Sequence, residues 1–313
     1  MNRIGVISNR YSDGNAGRSP LAEFAASHPD IVFASPTTVE ELPAILQEFA
    51  RREVSTIVVD GGDGTIREVL SALPGKTGRD WPAIALLPTG KTNLIARDVG
   101  AIGRGADGLR TLLDGLRDEP VRETWTWRRS LEVAWPDAPH AKVRGMFLGS
   151  GIFVHATRMA KAWAHDRGIK QGPAVALIGG RTLWQCLRGQ YETGTRIEMS
   201  GRGIAVPEIP CFLFLATTLE RLMLGVWPFP ECGKGALSWM MAQSPPRRLL
   251  RATWAAWRGH LAVDDEKGDY RGGKTRKLSV RLNTPFVVDG EEFAPGAKGV
   301  ILRAGPAIRF IRA

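Results

Sequence analysis

Apolar residues in the first third of the chain switch between two spacings. Arg3 to Ser8 and Ile31 to Ala34 are short apolar runs of strand length, and Thr56 to Asp60 is a β-branched run that stops at glycines. Between them Val39, Leu42, Ile45, Leu46 and Phe49 recur every three or four residues, which places them on one face of a helix. Thr38 and Glu41 precede that face with the spacing of a capping box, while Pro43 sits deeper than the first turn, so this helix is expected to start late or to kink. Ile66, Val69, Leu70 and Leu73 repeat the helical spacing, with Thr65 and Glu68 placed as a second capping box. Ile84 to Leu87 is a further strand before Pro88-Thr89-Gly90, and Ala106, Leu109, Leu112, Leu113 and Leu116 mark a further helix. Strands alternating with helices predict a parallel sheet covered on both faces.

From about Trp125 the texture changes. Leu131–Trp135, Val143–Leu148, Arg196–Met199, Pro210–Ala216, Leu278–Leu282 and Phe286–Val288 read as strands between Gly/Pro turns, and Leu278, Val280 and Leu282 alternate with period two. Met159 to Ala164 and Pro246 to Trp257 are helical, and Asp264 to Lys277, dense in charge and glycine, reads as an exposed loop. The expected organisation is therefore an α/β domain over residues 1–124 and a mostly antiparallel domain over 125–303, with a tail of about 304–313 able to return to the first.

With 43% hydrophobic and 24% charged residues in 313, the chain can bury a sizeable core, which excludes a disordered tail or a fibre. The longest uncharged apolar run, Ile209 to Leu219, is too short to span a bilayer, and the N-terminus lacks the pattern of a signal peptide, so a cytoplasmic address is expected. Cys186, Cys211 and Cys232 are odd in number and widely spaced, which reads as buried apolar thiols in a reducing compartment. The formal net charge of +10 is unevenly spread: residues 1–125 hold 14 Lys/Arg against 17 Asp/Glu, the remainder 28 against 15. Nine of the ten tryptophans also lie from Trp125 onward. A basic, tryptophan-bearing half suits anionic lipid headgroups. No nucleic-acid recognition motif accompanies it, and a solvated basic face over core tryptophans explains it equally well.

Asp60-Gly61-Gly62-Asp63-Gly64-Thr65 is the sharpest local signal, lying at the carboxyl end of a predicted strand and the start of a helix. Glycines there let backbone amides face an anion, and the helix N-terminus adds partial positive charge, so phosphate is the natural guest. The loop is neither a Walker sequence nor a dinucleotide fingerprint. It resembles the Gly-Gly-Asp-Gly-Thr signature of the diacylglycerol kinase, sphingosine kinase and bacterial lipid kinase family, shared more distantly by NAD kinases and phosphofructokinases. Pro88-Thr89-Gly90-Lys91-Thr92-Asn93-Leu94-Ile95-Ala96-Arg97 is similar to a second motif of the lipid kinases, Gly225 to Pro230 to another, and Val288-Asp289-Gly290-Glu291 to their late Asp-Gly-Glu motif.

The resemblance implies an NAD-kinase- and phosphofructokinase-like α/β domain and a β-sandwich domain, an ATP site in a cleft, and transfer of the γ-phosphate to a lipid hydroxyl. It places Gly61, Gly62, Asp63, Gly64 and Thr65 on the nucleotide phosphates, with Asn9, Ser12, Thr37, Thr38, Glu68, Gly90, Lys91 and Asn93 lining the same site. Asp289 and Glu291 would supply the carboxylate that takes the hydroxyl proton, and Mg²⁺ would accompany ATP, with Asp63 as its contact through the nucleotide. Two acids at i and i+2 point the same way on a strand end; on a turn they need not.

Several positions depart from the family pattern. Lys91 stands for a threonine, Leu94 for an aspartate, Arg10 for a proline and Arg67 for an asparagine. Gly233-Lys234-Gly235 replaces an aspartate of a structural cation site, which is expected to be missing, and His155 carries no metal spacing. Over Arg247–Arg281, ten basic residues face four acidic ones, and Leu249, Leu250, Trp254 and Trp257 recur at helical spacing among arginines. A membrane-docking edge and a helix packed on the sandwich with its arginines in water are both open readings. The functional expectation is an ATP-dependent lipid kinase acting on a diacylglycerol-like or sphingoid alcohol at an anionic membrane surface, with no nucleic-acid partner. A non-catalytic nucleotide or lipid sensor is the alternative, and an NAD kinase ranks lower because the chain lacks the Asn-Glu-x-Asp motif of those enzymes.

Overall fold

The computed structural model describes residues 3–15, 21–74, 81–117, 124–167, 180, 193–259 and 268–312. Cys186 lies outside them. The chain divides into two compact units, Met1–Ser130 with Gly305–Ala313, and Leu131–Ala304; both boundaries fall inside strands, β5 (Thr124–Trp135) and β15 (Val300–Arg312).

The first unit is built on parallel strands β1 (Arg3–Ser8), β2 (Ile31–Ala34), β3 (Val54–Gly61) and β4 (Ala83–Pro88), in the order β4-β3-β1-β2, with the end of β15 pairing in parallel with β4 at Phe310 and Ile311. β1, β3 and β4 are buried along nearly their whole length, as expected for a parallel sheet with both faces covered. Helices α1 (Leu21–Ala26), α2 (Leu42–Arg51), α3 (Asp63–Ala72), α4 (Leu94–Val99) and α5 (Gly105–Arg117) fill the connections. One core cluster joins Ile4, Val6, Val58, Ala85 and Leu87 of the strands to Leu21, Leu109, Leu112 and Leu113 of α1 and α5.

Local chemistry explains where the helices start. Glu41 accepts from the amides of Thr37 and Thr38, each at 3.1 Å, closing the predicted capping box around a short 3₁₀ turn. That turn delays α2 to Leu42, so Pro43 falls in the first helical turn, where its missing N–H costs nothing. The second expected capping box is corrected. α3 starts at Asp63 with Gly62 as N-cap, so Thr65 is already inside the helix, and Glu68 pairs with Arg67 at 3.0 Å.

The second unit is antiparallel. β14 (Glu291–Phe293), β13 (Phe286–Val288), β7 (Phe147–Gly151), β9 (Ile204–Thr217), β10 (Leu237–Gln243) and β11 (Tyr270–Thr275) form one run of neighbours. The long β9 also starts a second run through β8 (Arg196–Gly201), β12 (Lys277–Leu282) and β15, and β15 pairs β5, which pairs β6 (Ala138–Gly145). Side chains from both runs, including Val133, Phe214, Met241, Leu278, Phe286 and Leu302, share one apolar core, so the unit is a sandwich. Helices α6 (Ile152–Arg167) and α7 (Leu249–Trp257) complete it. The alternation expected for Leu278, Val280 and Leu282 is present, all three being buried.

Two sequence expectations fail here for physical reasons. Val143–Leu148 is not one strand but the end of β6 and the start of β7, broken at Met146, whose amide turns to the Asp289 carboxylate instead of continuing a ladder. The glycine- and charge-rich segment expected as a loop contains β11, because Gly272 and Gly273 pair with Met240 and Trp239 of a buried strand. Gly272 packs so closely on Pro230 and on the Trp239 carbonyl that a side chain has no room.

Candidate functional site

In the first unit, the loops that leave the carboxyl ends of β1, β3 and β4 meet one another, which is where open α/β sheets place their ligands. The Asn9 amide donates to the Asp60 carbonyl at 2.9 Å, the Thr89 amide to the Gly61 carbonyl at 3.2 Å, and the Gly14 amide to the Thr89 carbonyl at 2.9 Å. Gly62 and Gly90 touch backbone to backbone, and a Cβ on Gly90 would lie 2.4 Å from the Gly62 Cα. Asn93 holds the turn from Gly90 with both ends of its amide: it accepts from the Gly90 N–H at 3.1 Å and donates to the Gly90 carbonyl at 2.6 Å, in a left-handed conformation at φ 51°.

Two buried aspartates organise this junction. Asp60 ends β3, and its Oδ2 accepts from the Ser8 hydroxyl at 2.5 Å and the Asn15 amide at 2.8 Å, while Oδ1 accepts from the Thr89 hydroxyl at 3.2 Å. One carboxylate thus ties three loops together. Burial pushes its pKa above the ordinary carboxylate range, opposed by those three hydrogen bonds. Asp63 points the other way: its two oxygens accept from the Leu94 and Ile95 amides at 2.9 Å each, capping the start of α4. Burial raises its pKa as well, against the pull of those amides and of Arg97. The geometry gives Asp63 a positioning task at the start of α4.

Other predicted residues take places around the same loops. Asn9 donates from Nδ2 to the Thr65 hydroxyl at 2.9 Å. Ser12 is buried, with its amide on the Asn9 carbonyl at 3.1 Å. Lys91 lies 3.5 Å from Asp13 across the β1 and β4 loops, both half-exposed. Thr37 and Thr38 are committed to Glu41, and Glu68 to Arg67.

Two observations test whether this junction fits nucleotide phosphates. With Gly62 as N-cap, the amides of Asp63, Gly64 and Thr65 are the first of α3 and have no intrahelical acceptor; a Cβ built on Gly64 meets nothing within 4 Å, so the space beside them is open. In the loop after β1, Arg10 Nε is buried without an acceptor. Helix-end amides without an acceptor, beside open space at Gly64, fit an anion.

Sequence reasoning gave no role to Asp60, Ser8, Asn15 or Thr89. The available signal was an acid closing an otherwise apolar strand.

The second unit places the late Asp-Gly-Glu residues on a two-residue hairpin turn. Val288 pairs with Glu291, and Asp289 and Gly290 lie between them at φ 43° and 87°, the positive values of a type I′ turn. The two acids do not point together, as strand neighbours would. Asp289 is buried and accepts from the Met146 amide at 2.8 Å and the Phe147 amide at 3.0 Å, whereas Glu291 is exposed beside Lys161 at 3.6 Å. Gly145 is required at this spot, because a Cβ there would come within 2.2 Å of Asp289 Oδ2. Next to it, Arg144 and Glu132 form a buried ion pair at 3.1 Å, and Arg303 adds a second guanidinium to Glu132.

The chain aligns over 100% of its length with 97% of a diacylglycerol kinase structure from Bacillus anthracis str. Sterne, at 16% identity and a TM-score of 0.60. With yeast NADH kinase complexed with NADH it aligns over 100%, and over 84% of that chain, at 10% identity and a TM-score of 0.50. Both likenesses concern the fold. Residues 3–120 match the diacylglycerol kinase catalytic domain. Over 55 residues it is 44% identical to the probable lipid kinase YegS of Shigella flexneri and of Escherichia coli O157:H7; the match spans 18% of this chain and 18% of each relative.

Proposed function

We propose that the protein is a lipid kinase that transfers the γ-phosphate of ATP to a hydroxyl of a diacylglycerol-like or sphingoid lipid at a membrane surface. The observation that carries this reading is the α3 N-terminus: three amides without an intrahelical acceptor and open space beside Gly64, next to the loop junction tied by Asp60 and Asp63. The Gly61–Thr65 loop would hold the nucleotide phosphates, with Lys91 as a cationic donor from the β4 loop. ATP supplies the transferable phosphoryl group, and Mg²⁺ would be bound by the phosphate oxygens rather than by Asp63.

The residues of the chain position and move a proton. An alcohol becomes a competent nucleophile as its proton leaves, and a carboxylate within hydrogen-bond reach takes it. Asp289 suits that task better than Glu291. Two amides hold it in one orientation. Glu291 lies at a solvated edge beside a lysine. Its expected effect is small.

Transfer of labelled γ-phosphate from ATP to diacylglycerol and sphingoid lipids in mixed micelles tests the reading. Product formed by the wild type and lost by about 10³-fold in Asp289→Asn, with Glu291→Gln within about fivefold of wild type, supports it. ATP binding without labelling of any lipid favours a nucleotide sensor of the same fold, and labelling of NAD in place of lipid overturns the substrate class. A cytoplasmic site of action, peripheral to the inner membrane face, is part of the proposal.

A further inference from the structure

The tryptophan-bearing helix left with two readings by the sequence is not packed away. In α7 only Ala256 is buried, while Leu250, Trp254 and Trp257 are 58%, 51% and 59% exposed. At about 100° per residue these three side chains fall within about 60° of one another, and Ala256 lies on the opposite side. Arg251 follows one border of that stripe, and Arg247 and Arg258, just beyond the two ends of the helix, are exposed as well. Arg258 stacks over the Trp254 ring at 4.7 Å, and the Trp254 and Trp257 rings meet edge to face at 5.6 Å. Among the described residues, Arg247, Arg248, Arg251 and Arg258 face no carboxylate.

A second exposed anchor is tied to the same helix. The Trp227 amide donates to the Ala256 carbonyl at 2.8 Å, which fixes the end of the 223–229 segment against the last turn of α7. Phe229 is buried at the foot of that segment, and Leu224 at its tip is 78% exposed.

We infer that α7 and Leu224 form a docking edge for a bilayer surface bearing anionic headgroups. Three features choose a lipid surface over a protein partner. The apolar groups are few, protruding and amphipathic: indole rings favour the interface region, where their apolar bodies are buried and their edges stay wet. The border is purely cationic, and the residues after position 125 hold 28 Lys/Arg against 15 Asp/Glu, which attracts an anionic plane over the length of a Debye screening layer. Among the described residues these guanidiniums pair with no carboxylate, which leaves their N–H donors to phosphate groups. The purpose of this edge rests on the lipid-kinase reading, since it would bring the enzyme to its substrate, but its physics does not.

The test uses the full chain without ATP, co-sedimented with vesicles of phosphatidylcholine alone and with about one-third phosphatidylglycerol added. Binding to the anionic vesicles about tenfold tighter than to neutral ones, falling at high salt, is the expected result. The double variants Trp254→Ala/Trp257→Ala and Arg247→Glu/Arg251→Glu each lose about tenfold in partitioning while keeping the wild-type thermal midpoint, because the altered side chains are exposed. Equal binding to both vesicle types, or variants that bind as the wild type does, overturns the inference. So does a wild-type dimer in sedimentation equilibrium that the tryptophan variant dissolves, which would make this face a contact between copies of the chain. Phosphoryl transfer in detergent micelles is measured in parallel: vesicle binding without transfer upholds the docking edge and counts against the kinase reading, whereas transfer without vesicle binding does the reverse.

Discussion

At the scale of single residues, two aspartates with the same kind of partner do comparable work in different units. Asp63 receives two amides and so fixes where α4 begins; Asp289 receives two amides and so fixes where β6 gives way to β7. Hydrogen bonds to a charged acceptor contribute about 1.5–3 kcal/mol each. Asp63→Ala is therefore expected to lower unfolding stability by about 3 kcal/mol in urea titration, and Asp63→Asn, which keeps one acceptor, by about half that. Asp289→Ala carries a similar stability cost, so its activity should be compared with that of Asp289→Asn at a temperature where both are folded. The motif residues were legible in the sequence as a set. Their individual tasks were not, because nothing in the order of residues says that Asp63 reaches Leu94 or that Asp289 reaches Met146.

At the scale of elements, the glycines of the phosphate loop separate into two kinds. Gly62 and Gly90 are small because two loops pack backbone on backbone, so Gly90→Ala must push them apart. Its expected outcome is loss of both stability, by about 1–3 kcal/mol, and nucleotide binding. Gly64 has open space beyond its Cα. Gly64→Ala should leave stability unchanged or raise it by up to about 1 kcal/mol, since alanine is the better helix former, while weakening ATP binding at least about tenfold by filling the space meant for phosphate. Calorimetric titration with ATP beside thermal unfolding of the same variant reads both. A Gly64→Ala protein that binds ATP as well as the wild type would move the phosphates away from this helix end. The predicted strands β1, β2 and β13 match their residues because their apolar runs end at turns, whereas β11 was missed because glycine and charge outweighed a strand signal that only its buried neighbour β10 supplies.

At the scale of the molecule, each unit carries buried charge, and the pH dependence of stability follows from it with opposite signs. Burial raises the pKa of Glu132, but the hydrogen bonds from Arg303 and Arg144 outweigh it and hold the carboxyl below its ordinary value of 4.5. A carboxylate with a depressed folded pKa contributes stability that is present above the unfolded value and lost as pH falls through the folded one. Asp60 and Asp63 have raised values, so their contribution is largest below the ordinary carboxylate pKa and fades as pH rises through the raised one. Glu132, a buried carboxylate with a lowered value, is expected to contribute to loss of stability on the acid side. Glu132→Gln should cost about 3 kcal/mol at neutral pH, because it leaves Arg144 buried without its carboxylate, and should flatten the fall in urea midpoint below about pH 5. An acid limb as steep in the variant as in the wild type would assign it elsewhere. No helix among the described residues is long and apolar enough to cross a membrane.

Periodicity and turn residues by themselves determined the succession of elements and the change from parallel to antiparallel architecture, because these depend on neighbours within a few positions of one another. Tertiary structure alone decided that Asp60 binds three loops, that Asp289 turns inward while Glu291 turns outward, and that Trp254 and Trp257 face solvent. Each of those outcomes depends on which distant backbone amide, carboxylate or apolar surface arrives beside the side chain, and the sequence spacing of a residue carries no record of that arrival.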